Sequence, residues 1–252
     1  MIYAITNTKG GVGKTTTATN LACGFAQRNR KTLLVDLDPQ AHATQCFMEN
    51  RPDRDVGDFI MDKPSQALKS IIPTARENLD IVPSTAKLTE TAELLSSRIR
   101  REERLMRALE AVRDEYREII LDCPPSLNIL TYNAVIAGDL LIIPVQPGAG
   151  AVAGIDPLLE TATELRDEEN IPYRILITMF DVRTSRTNVI FEELLEEYRR
   201  RLLKTIISKS ESLNQANLAG KPISEFAPSS RGAYEYDALC DEILRLRIPS
   251  RP

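Results

Sequence analysis

A glycine-rich stretch that follows an apolar segment at residues 2–6 is the feature that most constrains the fold of this chain. It reads Lys9-Gly10-Gly11-Val12-Gly13-Lys14-Thr15-Thr16. Glycine lets the backbone turn tightly around an anion with its N–H groups pointing inward, and the positive end of a following helix strengthens the attraction. This order of features predicts a strand, a phosphate-binding loop and a helix.

The loop also predicts which side chains meet the phosphates. Lys14 is expected to reach the β- and γ-phosphates of a nucleotide, the Thr15 hydroxyl to bind Mg²⁺, and Thr16 to contact the α-phosphate. The usual pattern has glycine six residues before the lysine, whereas this chain has Thr8 there, followed by Lys9. Because the loop between the two lysines encircles the ligand, we expect Lys9 to reach a nucleotide held by a second subunit.

Strand-like apolar runs alternate with helical patterns along most of the chain. We predict strands at residues 2–6, 32–36, 79–83, 118–122, 140–145 and 174–179, with a shorter one at 204–207. We predict helices at residues 14–27, 102–113, 127–137, 188–202 and 234–246. The alternation favours one α/β domain over residues 1–252, with a mostly parallel twisted sheet covered by helices on both faces.

Three aspartates stand at the carboxyl ends of predicted strands, where α/β sheets gather their ligands. They are Asp36, Asp38 and Asp122. Carboxylates in such places either hold a metal ion and water beside a nucleotide or cap the next helix. Their combination with the glycine-rich loop favours the metal and water site.

Composition disfavours several functional classes. Four cysteines lie far apart, and His42 is the only histidine, so a disulfide framework, a zinc site or a histidine-based triad has too few residues. The longest apolar runs are much shorter than a membrane span, and no basic leader precedes the first strand. A cytoplasmic protein is expected.

The glycine-rich stretch resembles the deviant Walker A box of the ParA/MinD (Soj-like) ATPases, in which the first lysine contacts the ATP of the partner subunit. Residues 35–40, Val-Asp-Leu-Asp-Pro-Gln, resemble the second box of this family, and residues 119–125, Ile-Ile-Leu-Asp-Cys-Pro-Pro, resemble its Walker B strand. Weaker similarity continues at residues 143–146, 178–183 and 221–223. Together these motifs cover roughly residues 1–245.

The resemblance implies an Mg²⁺-dependent ATPase that forms a homodimer with ATP. The resemblance also implies that Asp38 orients the attacking water, that Asp122 holds Mg²⁺ through water, and that Asp36 supports the outer shell of the metal. It also suggests that adenine lies near Met179 and Asp181. The chain has no guanine-recognition motif, which favours ATP over GTP.

Three functions are compatible with this family. A ParA-like positioning ATPase would bind nonspecific DNA as its ATP dimer, and a MinD-like ATPase would bind a membrane instead. The membrane reading needs an amphipathic helix at a chain terminus, and the two prolines within residues 248–252 disfavour one there. The third reading, an electron-transfer or metal-handling relative, needs paired cysteines, but Cys123 stands alone and is expected to be a buried core residue.

Basic residues near the end of the chain are candidates for DNA binding. From residue 199 onward there are ten basic and six acidic residues, although the whole chain has a net charge of −4. The resemblance implies a DNA surface in this part of the chain, and the candidates are Arg199, Arg200, Arg201, Lys204, Lys209, Lys221 and Arg231. The alternative for the arginine triplet is a solvated helix face paired with glutamates one turn earlier.

The resemblance further implies a ParB-like or adaptor protein that stimulates hydrolysis, and a nucleoid-associated ATP state. The phosphate loop begins within the first ten residues, which predicts the short ParA branch without an operator-reading domain. A plasmid or chromosome centromere complex and a protein organelle, as in the carboxysome-positioning McdA proteins, both remain possible cargoes. Residues 49–76 are either a partner surface or a variable excursion.

Overall fold

An eight-stranded sheet forms the centre of the fold in the computed structural model, which describes residues 1–248. The strands are β1 (Ile2–Ile5), β2 (Thr32–Asp36), β3 (Ile72–Pro73), β4 (Leu79–Val82), β5 (Glu118–Asp122), β6 (Leu140–Val145), β7 (Tyr173–Phe180) and β8 (Leu202–Ser208). Their order across the sheet is β3-β4-β2-β5-β1-β6-β7-β8. Every pairing is parallel except that of β3 with β4.

Helices connect these strands and cover both faces of the sheet. They are α1 (Lys14–Gln27), α2 (His42–Phe47), α3 (Val56–Met61), α4 (Pro64–Ala67), α5 (Leu88–Ser96), α6 (Arg104–Glu110), α7 (Ile129–Ala137), α8 (Ile155–Arg166), α9 (Ser185–Leu194), α10 (Glu211–Leu218), α11 (Ile223–Phe226) and α12 (Arg231–Leu244). Short 3-10 helices occur at Leu68–Ser70, Arg101–Glu103 and Glu196–Arg201. None of the helices within residues 1–248 is both long and apolar enough to cross a bilayer.

The alternation of side chains along the strands divides the core into two layers. In β1, Ile2 and Ala4 belong to one buried cluster, whereas Tyr3 and Ile5 belong to the other. Every residue of β1, β2, β5 and β6 is buried, as expected for parallel strands with helices on both faces. The predicted α/β architecture is confirmed.

The predicted strands are all present: three have the predicted ends, and the ends of the others differ by one or two residues. Sequence reasoning missed the two-residue strand β3, which pairs antiparallel with β4 at the sheet edge. It lies in the segment 49–76, whose Val56, Phe59 and Ile60 are buried in the core. Part of that segment is therefore packed structure.

The predicted helix at residues 188–202 is wrong in its second half. Helix α9 ends at Leu194, a 3-10 helix spans Glu196–Arg201, and β8 already begins at Leu202. The physical reason is tertiary: Leu202 pairs with Ile175 on β7, and the tighter 3-10 segment buries Tyr198. The predicted helix at 102–113 is likewise shorter, because its first turn is a 3-10 helix and α6 ends at Glu110.

Candidate nucleotide-binding site

The candidate site lies at the carboxyl ends of the central strands. Strand β1 runs between β5 and β6, and the loop that follows it enters α1 at Lys14. Asp36 and Asp122 are direct neighbours in the register of β2 and β5, and Ile5 is the neighbour of Asp122 on β1. The sheet therefore brings the loop and both carboxylates to one place, as predicted.

The backbone of the loop takes the conformation that its glycines permit. Gly11 and Gly13 have φ values of 72° and 85°, a region that residues with a side chain rarely adopt. Gly13 precedes α1 without any side-chain cap, so the first N–H groups of the helix are left for a ligand. The Thr178 hydroxyl, on β7, donates to the Val12 carbonyl over 2.9 Å and fixes the loop from the neighbouring strand.

Lys14 is held inside this loop. Lys14 is only 6% exposed, and its Nζ donates to the Lys9 carbonyl over 2.9 Å. Burial lowers the pKa of Lys14, whereas Asp122 favours its charged form. An ammonium group with little water around it interacts strongly with an incoming anion.

Asp122 is the least satisfied polar residue of the site. It is fully buried, and neither of its carboxylate oxygens accepts a hydrogen bond of good geometry, although the Thr15 hydroxyl lies near enough to lower the pKa of Asp122. Burial raises its pKa well above the ordinary range, and the nearby Asp36 carboxylate adds to the effect. A buried carboxylate without partners requires a compensating cation or donor. Mg²⁺, which prefers oxygen ligands and retains water, fits Asp122 beside the Thr15 position.

Asp36 differs from Asp122 because its oxygens are fully engaged. Oδ2 accepts from the backbone N–H of Thr44 over 2.8 Å and from the Thr44 hydroxyl over 2.7 Å, and Oδ1 accepts from the Asp38 backbone over 3.1 Å. Burial raises the pKa of Asp36 to about 6, against the opposing effect of the Thr44 hydrogen bonds. Asp36 thus fixes the turn that presents Asp38, whose own Oδ1 accepts from Gln40 over 2.9 Å.

Lys9 points away from Lys14 and contacts a different loop. Its Nζ donates to the carbonyl of Ala149 over 3.0 Å, in the segment that follows β6. A Cβ atom at Gly154 of that segment would collide with the side chains of Asn7 and Thr8, so the segment packs closely against the residues before Lys9. The two lysines therefore occupy separate positions within one protomer.

A cleft beside the loop is the candidate position for a nucleotide base, and we call it the base cleft. It is lined by Gly13, Thr16, Thr178, Met179, Ile207, Ser208, Lys209, Ser210, Leu213, Asn214, Asn217 and Tyr236. Met179 lines this cleft. Asp181 does not line it and instead pairs with Arg183 over 2.7 Å, which lowers the pKa of Asp181. Gly13, Thr16 and Thr178 belong to motifs already noted in the sequence, whereas the residues of α10 and α12 come from distant elements that no local pattern could have indicated.

The candidate basic residues do not form one cluster. Arg199, Arg200 and Arg201 precede the amino end of β8, and Lys204 lies in its first half. Lys209 follows the carboxyl end of β8. Helix α12 runs antiparallel to β8, since Glu242 accepts from Lys204 N–H and Glu235 accepts from Ser208 N–H. Arg231, which begins α12, consequently lies at the carboxyl end as well.

Lys221 belongs with the group at the carboxyl end. Two residues later the Ile223 N–H donates to the Asn20 side chain on α1 over 2.8 Å, and Gly220 approaches the Gln45 carbonyl on α2. The predicted set therefore divides into a carboxyl-end group, which is Lys209, Lys221 and Arg231, and an amino-end group, which is Arg199, Arg200, Arg201 and Lys204.

The contacts of the arginine triplet agree in part with the alternative of pairing to glutamates one turn earlier. Arg199 pairs with Glu196 over 3.2 Å, within the 3-10 helix. Arg201 stacks over the Tyr173 ring at 4.9 Å. Cys123, in contrast, is fully buried, as expected, and burial raises the pKa of its thiol.

The parallel sheet and the loop at the start of α1 define a class, the P-loop nucleotide-binding proteins. Comparison with known proteins narrows the class. A family model described as an AAA domain (AAA_31) matches residues 1–175, and the sporulation initiation inhibitor protein Soj of Bacillus subtilis is 42% identical over 247 residues. The chain belongs to the ParA/Soj family of P-loop ATPases.

Three of these similarities extend over the whole domain. The Soj alignment covers 96% of this chain and 97% of the relative. The chromosome partitioning protein ParA of Myxococcus xanthus is 37% identical, with 100% of this chain and 90% of that protein covered. A plasmid partition protein (BB_S35) from Borrelia burgdorferi, solved bound to AMPPNP, superposes with a TM-score of 0.81 at 27% identity, covering 97% of this chain and 98% of that one.

Proposed function

We propose that this chain is a partition ATPase whose ATP-bound homodimer binds nonspecific DNA and moves a cargo over the nucleoid. The observation that carries the proposal is the separation of two lysines in one loop. Lys14 is buried inside the loop, whereas Lys9 lies outside it on the carbonyl of Ala149. One lysine can thus serve the nucleotide of its own protomer and the other that of a partner.

Nucleotide binding in this proposal uses the loop and the base cleft. The backbone of Gly10, Gly11, Val12 and Gly13 surrounds the phosphates, Lys14 neutralises the β- and γ-phosphates, and Thr16 contacts the α-phosphate. The family relationship and the AMPPNP complex of BB_S35 support ATP as the ligand. Met179 packs against the adenine.

Hydrolysis depends on three aspartates that differ in their surroundings. Thr15 and, through water, Asp122 would hold Mg²⁺, which would supply charge neutralisation for the phosphates. Asp36 contributes to the outer shell and anchors the turn through Thr44. Asp38, fixed by that turn, orients the attacking water.

Dimer formation follows from the direction in which Lys9 must reach. For Lys9 to contact a nucleotide bound to another protomer, the carboxyl ends of the strands in the two protomers have to face each other. Lys9 then exchanges its hydrogen bond to the neutral Ala149 carbonyl for one to a charged phosphate oxygen, which is the stronger interaction because both partners are charged. ATP thereby favours the closed dimer, and loss of the γ-phosphate favours its opening.

DNA binding in this arrangement is assigned to the carboxyl-end group, Lys209, Lys221 and Arg231. When these ends face each other, the carboxyl-end groups of the two protomers lie near one dimer interface, so that their charges act on one DNA segment. The amino-end group of each protomer lies at the opposite end of the sheet, away from this interface, and cannot combine in this way. Nucleotide state consequently controls DNA affinity through dimerisation.

Cargo and partner follow from the named relatives rather than from this chain's own residues. Soj and ParA support a centromere complex, recognised through a ParB-like protein that stimulates hydrolysis. The protein is then cytoplasmic and nucleoid-associated in its ATP state. An organelle adaptor would use the same nucleotide chemistry.

The test is Lys9→Ala, with Asp38→Ala as the matched control. Lys9→Ala is expected to bind ATP but to elute from gel filtration as a monomer with ATP present. Asp38→Ala is expected to bind ATP, remain dimeric and fail to hydrolyse it. A full ATP dimer formed by Lys9→Ala would refute the cross-subunit role.

A further inference from the structure

The side chain of Asn217, on helix α10, contacts the first turn of α1. Its amide Nδ2 lies 3.1 Å from the Thr16 hydroxyl, and its Oδ1 lies 3.3 Å from the same atom. Asn217 and Thr16 also line two clefts together. One is the base cleft, and the other is bounded by α2 residues His42 and Gln45. The pair thus separates two open regions at the phosphate loop.

The two distances describe two possible hydrogen bonds with opposite directions. A threonine hydroxyl has one hydrogen to donate and two lone pairs to accept with, and an asparagine amide can both donate and accept. Without a ligand, Thr16 can donate to Oδ1 or accept from Nδ2. Once its hydrogen is directed to a phosphate oxygen, only acceptance from Nδ2 of Asn217 remains.

The position of Asn217 is fixed by the end of α10. The Gly220 N–H donates to the Asn217 carbonyl over 3.1 Å, and Gly220 has a φ of 60°, a left-handed turn that ends the helix. Gly220 also approaches the Gln45 carbonyl on α2, and α2 follows the turn that carries Asp38. The end of α10 therefore lies between the phosphate loop and the Asp38 turn.

We propose that Asn217 is a positioning residue of the nucleotide site, which donates to Thr16, directs the Thr16 hydroxyl hydrogen toward the α-phosphate and links α10 to nucleotide occupancy. The proposal rests on the proposed function, in which Thr16 contacts the α-phosphate. Because hydrogen bonds in a chain polarise one another, donation by Asn217 strengthens the bond that Thr16 donates. Asn217 acts through Thr16 and is not expected to contact the reacting γ-phosphate.

The test is a double-mutant cycle on ATP affinity with Asn217→Ala and Thr16→Val. Asn217→Ala is expected to weaken ATP binding by about 3- to 10-fold, the range of one net hydrogen bond, and to raise KM with kcat nearly unchanged. The same substitution should have no further effect in the Thr16→Val background. Gln215→Ala is the matched control, because Gln215 lies on α10 and pairs only weakly with Glu211 over 3.4 Å.

Two results separate the inference from the proposed function. Wild-type protein that binds no ATP in equilibrium dialysis would overturn both. If the wild type binds ATP but Asn217→Ala reduces ATP affinity equally with Thr16 and with Thr16→Val, only the inference is overturned, since Asn217 would then not act through Thr16.

A spectroscopic readout tests the link to α10. The chain contains no tryptophan, and Leu218, next to Asn217, is 89% exposed, so Leu218→Trp provides a single reporter. The tryptophan emission of the Leu218→Trp variant is expected to shift in wavelength when ATP saturates the protein. At saturating ATP, that shift is expected to be absent when Asn217→Ala is combined with Leu218→Trp. An equal shift with and without Asn217 would contradict the link.

Discussion

The two ends of the parallel sheet both carry charged residues, but they hold them differently. At the carboxyl ends, Asp36, Asp122 and Lys14 are buried, and Asp122 has no hydrogen-bond partner. At the amino ends, the buried Glu118 carboxylate is paired with Arg30. Arg199 is exposed and paired with Glu196 within its own turn, and Arg201 is stacked on Tyr173. Charges that are buried without full compensation cost free energy, whereas exposed pairs contribute little.

This difference shows which charges require a ligand. A buried carboxylate without a hydrogen-bond partner marks a candidate site for a ligand, because such groups are common at functional sites. Exposed arginines need no such explanation. Whether a buried charge is compensated within the chain is therefore a better guide to its role than the local density of basic residues. Four predictions test the comparison.

The largest effect is expected from Lys14→Ala at the carboxyl end. Removing the buried ammonium should weaken ATP binding by about 100-fold or more, because charge-assisted contacts to phosphate are lost in a site with little water. Isothermal titration calorimetry measures the change, and Arg199→Ala at the amino end is the control with no expected effect. Similar losses for both variants would break the distinction between the two ends.

Asp38→Ala is expected to come next. Hydrolysis should fall by about 100-fold, the typical contribution of a residue that positions a reacting water, while ATP affinity changes little. Single-turnover phosphate release measures the rate. Turnover at the wild-type rate would remove Asp38 from the site and leave its hydrogen bond to Gln40 as a purely structural feature.

DNA binding is expected to distinguish the two ends of the sheet when the same number of positive charges is removed from each. Lys221→Ala with Arg231→Ala removes two positive charges from the carboxyl end, and Arg200→Ala with Lys204→Ala removes two from the amino end. With ATP present, the first pair should reduce the salt dependence of DNA binding by a slope of about 0.9 per lost phosphate contact. The second pair should leave it close to wild type. Fluorescence anisotropy over a salt series measures both, and the reverse result would reassign the DNA surface.

The smallest effect concerns stability. Asp122→Asn is expected to stabilise the nucleotide-free protein by about 1–3 kcal/mol at neutral pH, because the unpaired buried charge is removed. Burial raises the folded-state pKa of Asp122 above its unfolded value of about 3.9. The charged carboxylate therefore destabilises the fold increasingly as pH rises above the unfolded pKa.

The advantage of Asp122→Asn should consequently disappear on acidification, where the wild-type carboxyl is neutral too. Thermal unfolding of both proteins across a pH series gives the difference. A variant that is less stable than wild type at every pH would mean that Asp122 is compensated within the chain.

Sequence reasoning performed best where one local pattern has a single physical solution. The glycine-rich loop needs positive φ at Gly11 and Gly13, and both have it; Asp36 and Asp122 end adjacent strands, and they are neighbours. It failed at residues 188–202, where a helical pattern of charges continues into residues that pair with β7. Local propensity could not indicate that pairing, since it depends on a distant strand.

The sequence by itself determined the class of the fold, the phosphate loop and the separate roles expected for Lys9 and Lys14. Those features depend on residues close together in the chain, where backbone conformation and spacing decide the outcome. Only the tertiary structure decided the membership of the base cleft, the division of the basic residues and the contact between Asn217 and Thr16. Each of these joins residues far apart in sequence, and their proximity follows from strand order and helix packing.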